Sequence, residues 1–358
     1  MTDIHSPLRI GTKVLRNRIT MAPTVKFYAD EDGTVTDEFV RHYEERAAHE
    51  CGLIVVEATC VAKEARLHPA QLGLWCDSQI DGHRKLADAV HRQGALVIPQ
   101  IHHGGLGTHP DCGPLTSPSA VTWNDGFRDA EAVELTVKDI HRIEAQFTEA
   151  AVRAQKAGYD GVQLHACHAY LINDFASSVN RREDEYGQDK ALFGSRIIRA
   201  IRQACGKDFL ISARVSGCDP TAGEAVGIAE KYVAAGCDYL QVSCGIAEFR
   251  QLPHDESLPY NRIAALGVRM HEHFRGRVPV SCVNGFRTVE QVRYMFDHDL
   301  TDTIDLACGL LADPAFTEAI LHGSPYVSCF SCPRCAFGPD HPHPCPAMVL
   351  RKADGIRF

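Results

Sequence analysis

The chain has 358 residues, 45% hydrophobic and 23% charged, enough to bury a large core in one domain. Its 37 basic residues against 46 acidic ones leave a formal net charge of −9, which speaks against a nucleic-acid partner held by phosphate neutralisation and for a small organic substrate. No apolar run approaches the ~20 residues that span a bilayer, and residues 1–9 lack both a basic segment and a hydrophobic core, so a cytoplasmic protein with no membrane partner is expected.

Short β-branched or apolar runs alternate with segments of helical period along the chain. The order is strand 18–22, helix 37–49, strand 53–59, helix 79–93, strand 96–101, helix 138–157, strand 161–165, helix 190–205. It continues with strand 209–215, helix 223–235, strand 239–244, helix 261–274, strand 278–283, helix 288–298, strand 303–307 and helix 312–321. Gly94, Gly158 and Gly236 supply left-handed caps after three of these helices. Eight βα units predict an α/β fold, a (β/α)8 TIM barrel over residues 1–323, with a short cysteine-rich extension over 324–358. An open doubly wound sheet is the alternative architecture; the lack of a G-x-G-x-x-G turn weighs against it.

In such a barrel, chemistry sits at the C-terminal ends of the strands. Pro23 and Thr24 follow the first strand, Glu57, Ala58 and Thr59 end the second, and Gln100 and His103 end the third. His165, His168 and Tyr170 end the fourth, Arg214 the fifth, and Asn284 and Gly285 the seventh. In His165-Ala-Cys-His168-Ala-Tyr170, two imidazoles and a phenol can converge on one oxygen and a nearby carbon, which suits holding a carbonyl and delivering a proton. Each residue also has an ordinary reading: structural histidines, a core tyrosine, a loop amide at Gln100, an Arg214 paired with Asp238 or Glu57. Gathered on one mouth, they describe a pocket for a flat, partly anionic heterocycle. Gln100 suits a pyrimidine edge, Arg214 a ring that gains negative charge on reduction, and the backbone at Gly285 a phosphate.

The fourth-strand motif continues through Asn173, Phe175, Ser177, Asn180, Arg182, Asp184, Glu185, Tyr186 and Gly187. Matching segments elsewhere read Met21-Ala22-Pro23, Pro99-Gln100-Ile101, Ala213-Arg214-Val215-Ser216, Val283-Asn284-Gly285 and Leu310-Leu311-Ala312-Asp313-Pro314. From about Pro7 to about Pro314 the chain resembles the Old Yellow Enzyme family of flavin-dependent reductases, particularly its 2,4-dienoyl-CoA reductase branch. The resemblance implies FMN held by Pro23, Thr24, Ala58, Gln100, Arg214, Gly285 and the pair after the eighth strand, here Ala307 and Cys308. It further implies an ene-reductase, with hydride passing from flavin N5 to the β-carbon of an α,β-unsaturated carbonyl or enoyl-CoA-type substrate. His165 and His168 then hydrogen-bond the carbonyl, and Tyr170 gives the proton.

Several positions depart from that pattern. Cys308 stands where the family places an arginine on the FMN phosphate, so a cation is missing there unless Arg287 or another residue substitutes. Leu106 replaces the arginine that closes Gln-x-x-His-x-Gly-Arg, and the loop between Gly187 and Arg196 is short. The histidine that dienoyl reductases carry after the sixth strand is absent from residues 244–250, with His254 a little further on, which argues against a strict dienoyl-CoA activity.

Most of the fifteen cysteines are scattered singly, as expected of free thiols in a reducing compartment. The tail differs, reading Cys329-Phe-Ser-Cys332-Pro-Arg-Cys335, with Cys345 nine residues beyond. Three close thiols and a later fourth can surround one centre: a 4Fe–4S cluster, a zinc ion with help from His341 or His343, or no metal at all. The resemblance supports the cluster, with the third spacing one residue shorter than usual. Electrons then come from NAD(P)H directly or from a separate donor protein, and the chain is compatible with a homo-oligomer. Competing functions are an FMN-barrel amine dehydrogenase or N-demethylase, a tRNA-reducing flavin barrel, and a non-catalytic metal-binding redox protein with a degenerate flavin site. Tyr170 beside H-x-x-H favours alkene reduction over the first, and the acidic balance opposes the second.

Overall fold

A computed structural model of the chain describes residues 3–124, 129–247, 252–333, 335, 337 and 344–353. Eight parallel strands close a barrel: β1 (Ile19–Met21), β2 (Leu53–Cys60), β3 (Leu96–His102), β4 (Gly161–Ala166), β5 (Leu210–Ser216), β6 (Tyr239–Ser243), β7 (Val280–Val283) and β8 (Thr303–Leu306). They follow one another around the barrel in chain order, and β8 pairs back onto β1. The helices between them are α1 (Asp37–Ala48), α2 (Ile80–Arg92), α3 (Val137–Lys156), α4 (Leu192–Cys205), α5 (Ala222–Ala234), α6 (Arg262–Phe274), α7 (Val289–Asp297) and α8 (Phe316–His322). This is the (β/α)8 barrel expected from the alternating pattern. Side-chain oxygens of Thr36, Thr136, Thr221, Asn261 and Thr288 accept the first free N–H groups of α1, α3, α5, α6 and α7, fixing where each helix begins.

Alternation along the strands sorts outward from inward residues. Near the N-terminal mouth, Leu53, Val55, Ile98, Leu210 and Tyr239 pack with Ile10 and Leu15 from a small hairpin (Leu8–Ile10 with Lys13–Leu15) that plugs the barrel floor. Above this apolar floor the interior is polar: Thr20, Gln163, Ser212, Gln241, Ser281, Thr303 and Asp305 are all buried. Gln100 donates to Gln163 (2.8 Å) and Gln163 to Ser212 (3.2 Å), linking β3, β4 and β5. One further step up each strand brings the mouth.

β2 carries a bulge: Val56 pairs with Pro99 and Ala58 with Gln100, leaving Glu57 as the extra residue. Ala58 therefore shares the inward side with Gln100. Three features were not anticipated: the hairpin plug, a three-stranded sheet (Thr116–Ser117, Val121–Asn124, Asp129–Glu134) that covers Leu106, and a short helix Leu171–Ala176 directly after Tyr170. The last predicted helix, 312–321, starts later, as α8 at Phe316, and a short unpredicted helix Cys308–Ala312 precedes it; Pro314 holds Asp313 in an extended conformation between the two. Among the described residues no helix is long and apolar enough to cross a membrane.

Candidate active site

The strand tips deliver their side chains to one mouth. Arg214 lies beside His165 in the β4–β5 register, as Gln100 lies beside Ala58. Beyond β4 the chain turns through His168 (φ +62°) and Ala169 (φ +58°), a left-handed pair that neither side chain favours. Two bonds hold the turn: His168 N–H donates to the Cys244 carbonyl (3.2 Å) and Ala169 N–H to Asn173 Oδ1 (2.9 Å). Asn173 in turn donates to Asp219 (2.8 Å), which also accepts the Ile246 and Ala247 amides, so the loop after β6 is tied to the same turn.

The turn folds the rings over one another. His165 and Tyr170 meet edge-to-face with centroids 4.5 Å apart, and His165 and His168 are 5.2 Å apart. His102, one inward step beyond Gln100, joins them at 5.3 Å from Tyr170 and 6.1 Å from His165. Tyr170 closes against the Gly107 backbone, where a Cβ would lie 2.7 Å from the phenol ring. His168 Nε2 is engaged by Ser243 Oγ at 2.8 Å. Burial, helped by the positive charge of Arg214, lowers His168 to about 3 and holds His165 well below its usual value, so both rings are neutral near pH 7. Burial raises Tyr170 to about 12 and lowers His102 and His103 to about 3.

Neither ordinary partner claims Arg214. Asp238 pairs with Arg202 (2.5 Å), and Glu57 faces Lys26 (3.9 Å) while accepting the Lys26 and Phe27 amides. Glu57 thus shapes the loop that carries Pro23 and Thr24. Arg214 is 8% exposed and its Nε has no hydrogen-bond partner among the described residues. It lines a cavity of about 150 Å³ with Asn284, Gly285, Arg287, Asp305, Ala307 and Cys308. Pro23, Ala58 and Gln100 are buried and Thr24 is half-buried, its hydroxyl donating to the Ala22 carbonyl (3.4 Å). His254 is engaged by the Tyr260 carbonyl (2.9 Å); residues 248–250 of its loop lie outside the described residues.

The tail cysteines meet a second cavity. Cys329, Cys332, Cys335 and Cys345 line a space of about 160 Å³, and Cys308 and Arg287 form the wall it shares with the first cavity. The segment is fastened to the barrel by Asp313, which accepts the Ala315 and Val327 amides (both 2.9 Å) and pairs with Arg351 of the helix Pro346–Ala353. All fifteen cysteines are free thiols. Among the described residues the one set of three ligand atoms gathered within 4.8 Å is His165, Cys167 and His168. His341 and His343, the zinc alternatives, lie outside the described residues.

Sequence reasoning missed His102, Ser243 and Gln163. Strand alternation from Gln100 is the signal that points to the first, and cross-strand pairing with Ser216 and Ser212 to the other two.

Fold and mouth together define a class: a (β/α)8-barrel enzyme with neutral imidazoles, a phenol and a cationic cavity at the C-terminal rim. Residues 3–326 match the NADH:flavin oxidoreductase / NADH oxidase family, and the chain belongs to it. It is 34% identical over 347 residues to an NADH oxidase of Thermoanaerobacter brockii, covering 92% of this chain and 52% of that protein, so it spans about half of that relative's length. It is 36% identical over 252 residues to an NADPH dehydrogenase of Geobacillus sp. (strain WCH70), covering 68% of this chain and 73% of that one. The fold also matches the structure of an old yellow enzyme homologue from Zymomonas mobilis, with a TM-score of 0.78 and 24% identity over 91% of this chain and 94% of the other.

Proposed function

We propose that the chain is an FMN-dependent ene-reductase of the 2,4-dienoyl-CoA reductase-like branch, using NAD(P)H to reduce the C=C bond of an α,β-unsaturated carbonyl or enoyl-CoA-type substrate. The observation that carries this reading is the packing of His165, His168 and Tyr170 into one ring cluster beside Arg214, whose buried Nε has no hydrogen-bond partner among the described residues. The residues fit the cofactor. Arg214 brings a buried guanidinium with a free donor, Gly285 brings bare backbone, and Pro23, Thr24, Ala58, Gln100, Ala307 and Cys308 complete the holding set. FMN, when bound, supplies the hydride that NAD(P)H delivers to it.

The chain's own groups then handle charge and proton. As a carbonyl oxygen gains negative charge, neutral His165 and His168 donate hydrogen bonds to it without first losing a proton themselves. Ser243 occupies Nε2 of His168, which leaves Nδ1 as the ring nitrogen for substrate. Tyr170 places its hydroxyl proton on the α-carbon and recovers it from solvent. The sum is alkene plus NAD(P)H plus one proton giving alkane plus NAD(P)+.

The tail is a separate unit of the reading: residues 1–323 form the flavin barrel and 324–358 a 4Fe–4S extension. Its support is the convergence of Cys329, Cys332, Cys335 and Cys345 on one cavity. Electrons reach the site from NAD(P)H at the mouth or from a partner protein through the tail.

The test is an anaerobic absorbance spectrum of the purified chain, followed by NADPH and then 2-cyclohexen-1-one or crotonyl-CoA. Flavin bands that bleach and return support the reading. A chain that binds no flavin in the presence of added FMN overturns it and leaves a non-catalytic metal-binding protein. A flavin bleached by amines and reoxidised by no alkene points to an amine dehydrogenase.

A further inference from the structure

Arg287 stands on the wall common to both cavities, and its main chain is pinned while its guanidinium is not. The chain leaves β7 through Asn284 and Gly285, both with positive φ (+86° and +85°), and reaches Arg287 after buried Phe286. Arg287 N–H donates to Gln291 Oε1 (2.9 Å), and its carbonyl accepts from Ser328 Oγ (3.1 Å). Its Nε is buried without a hydrogen-bond partner among the described residues, as is that of Arg214 on the same cavity. Arg287 as a whole is half-buried, but a buried guanidinium N–H without a partner is costly, and two like charges on one cavity repel each other, so the cavity favours an anion.

The rest of the lining narrows which anion. The carboxyl in the lining, Asp305, is engaged by the Thr20 hydroxyl, and burial pushes its pKa up. Gly285 presents bare backbone: a Cβ there would meet Asn261 Nδ2 at 2.6 Å, and its φ disfavours any side chain. A phosphate monoester, with three acceptor oxygens and a charge of about −1.5 to −2, matches fork-shaped donors and close backbone. Cys308 lines the same cavity and brings no cation.

We infer that Arg287 holds the flavin's 5′-phosphate in this chain, taking over from the arginine that Cys308 displaces; the inference rests on the flavin reading above. The test compares FMN with riboflavin, which differs only in lacking the phosphate. The 358-residue chain is freed of flavin and titrated with each, followed by flavin fluorescence, for the parent, Arg287→Ala, and Arg287→Ala with Cys308→Arg. The parent prefers FMN. Arg287→Ala loses FMN affinity by on the order of 10- to 100-fold while riboflavin changes by less than about twofold, and Cys308→Arg restores the preference. Riboflavin binding doubles as the check that the variant is folded; should Arg287→Ala not fold, Arg287→Gln is read in the same way.

Parallel loss of both ligands, or an unchanged FMN-to-riboflavin ratio, overturns the inference. An unchanged ratio with altered iron content instead assigns Arg287 to the thiol cavity. A parent that binds neither flavin refutes the flavin reading itself.

Discussion

Replacing Tyr170 with Phe keeps the ring against His165 and Gly107 and removes only the hydroxyl. Burial lifts that hydroxyl to about 12, so at pH 7 it is fully protonated and available as an acid. The next donor at the mouth is water, with a pKa of about 15.7, nearly four units weaker. With proton transfer about half complete in the transition state, that difference alone slows the step by roughly 10²-fold, and loss of a positioned donor extends the range to about 10⁴. Anaerobic stopped-flow separates the two halves of the cycle. Bleaching of the flavin band by NADPH should stay within about twofold of the parent, whereas its return with 2-cyclohexen-1-one should slow at least ~100-fold. Return at the parental rate, or equal slowing of both halves, refutes the assignment of Tyr170 as the acid.

Because His168 titrates at about 3 and His165 well below its ordinary value, the alkene-driven half-reaction should show no inflection between pH 5 and 9, and a step near 6.5 would contradict neutral donors. The same depression means that both rings stabilise the fold above an unfolded value of about 6.5 and that this contribution is lost as pH falls below it. Asp174 behaves oppositely: burial raises its carboxyl to about 8, so the parent loses stability as pH rises from its unfolded value towards 8. Asp174→Asn should therefore gain on the parent by about 1.4 kcal/mol per pH unit between pH 5 and 8, read from urea midpoints, and a constant difference would reject the shift. Lys26 and Glu57 are fully buried and face each other. Lys26→Met or Glu57→Gln alone should cost about 3–5 kcal/mol, and the double variant should recover most of it; additive losses would show that the pair is not coupled. Cys332→Ser should abolish iron and sulfide incorporation while leaving FMN bound, and full iron content would remove Cys332 from the ligand set.

The barrel was legible because eight apolar runs alternate with helical periods, and all eight strands fall within two residues of their predicted bounds. The mouth was legible for the same reason: alternation sends Gln100 and Arg214 inward, and chemistry-bearing residues stand out where the runs end. What escaped was set by contacts between distant segments. The sheet over Leu106 is built from short strands of mixed polarity that only Leu115, Ala132 and their neighbours make worthwhile. The helix after Tyr170 has six residues, too few for a period to show. Cys308 read as a missing cation, yet its place between the two cavities depends on Cys329 returning past the barrel rim, which no local pattern encodes.

The irregularity in β2 has an outcome for how this strand tolerates change in length. Omitting residue 57 would leave Val56 against Pro99 and Ala58 against Gln100, so every later side chain would keep its orientation. What would vanish is the carboxyl that faces Lys26, a lysine with zero exposure. The supernumerary residue thus adds nothing to the strand pairing and steadies a neighbouring loop, its carboxyl accepting the Lys26 and Phe27 amides.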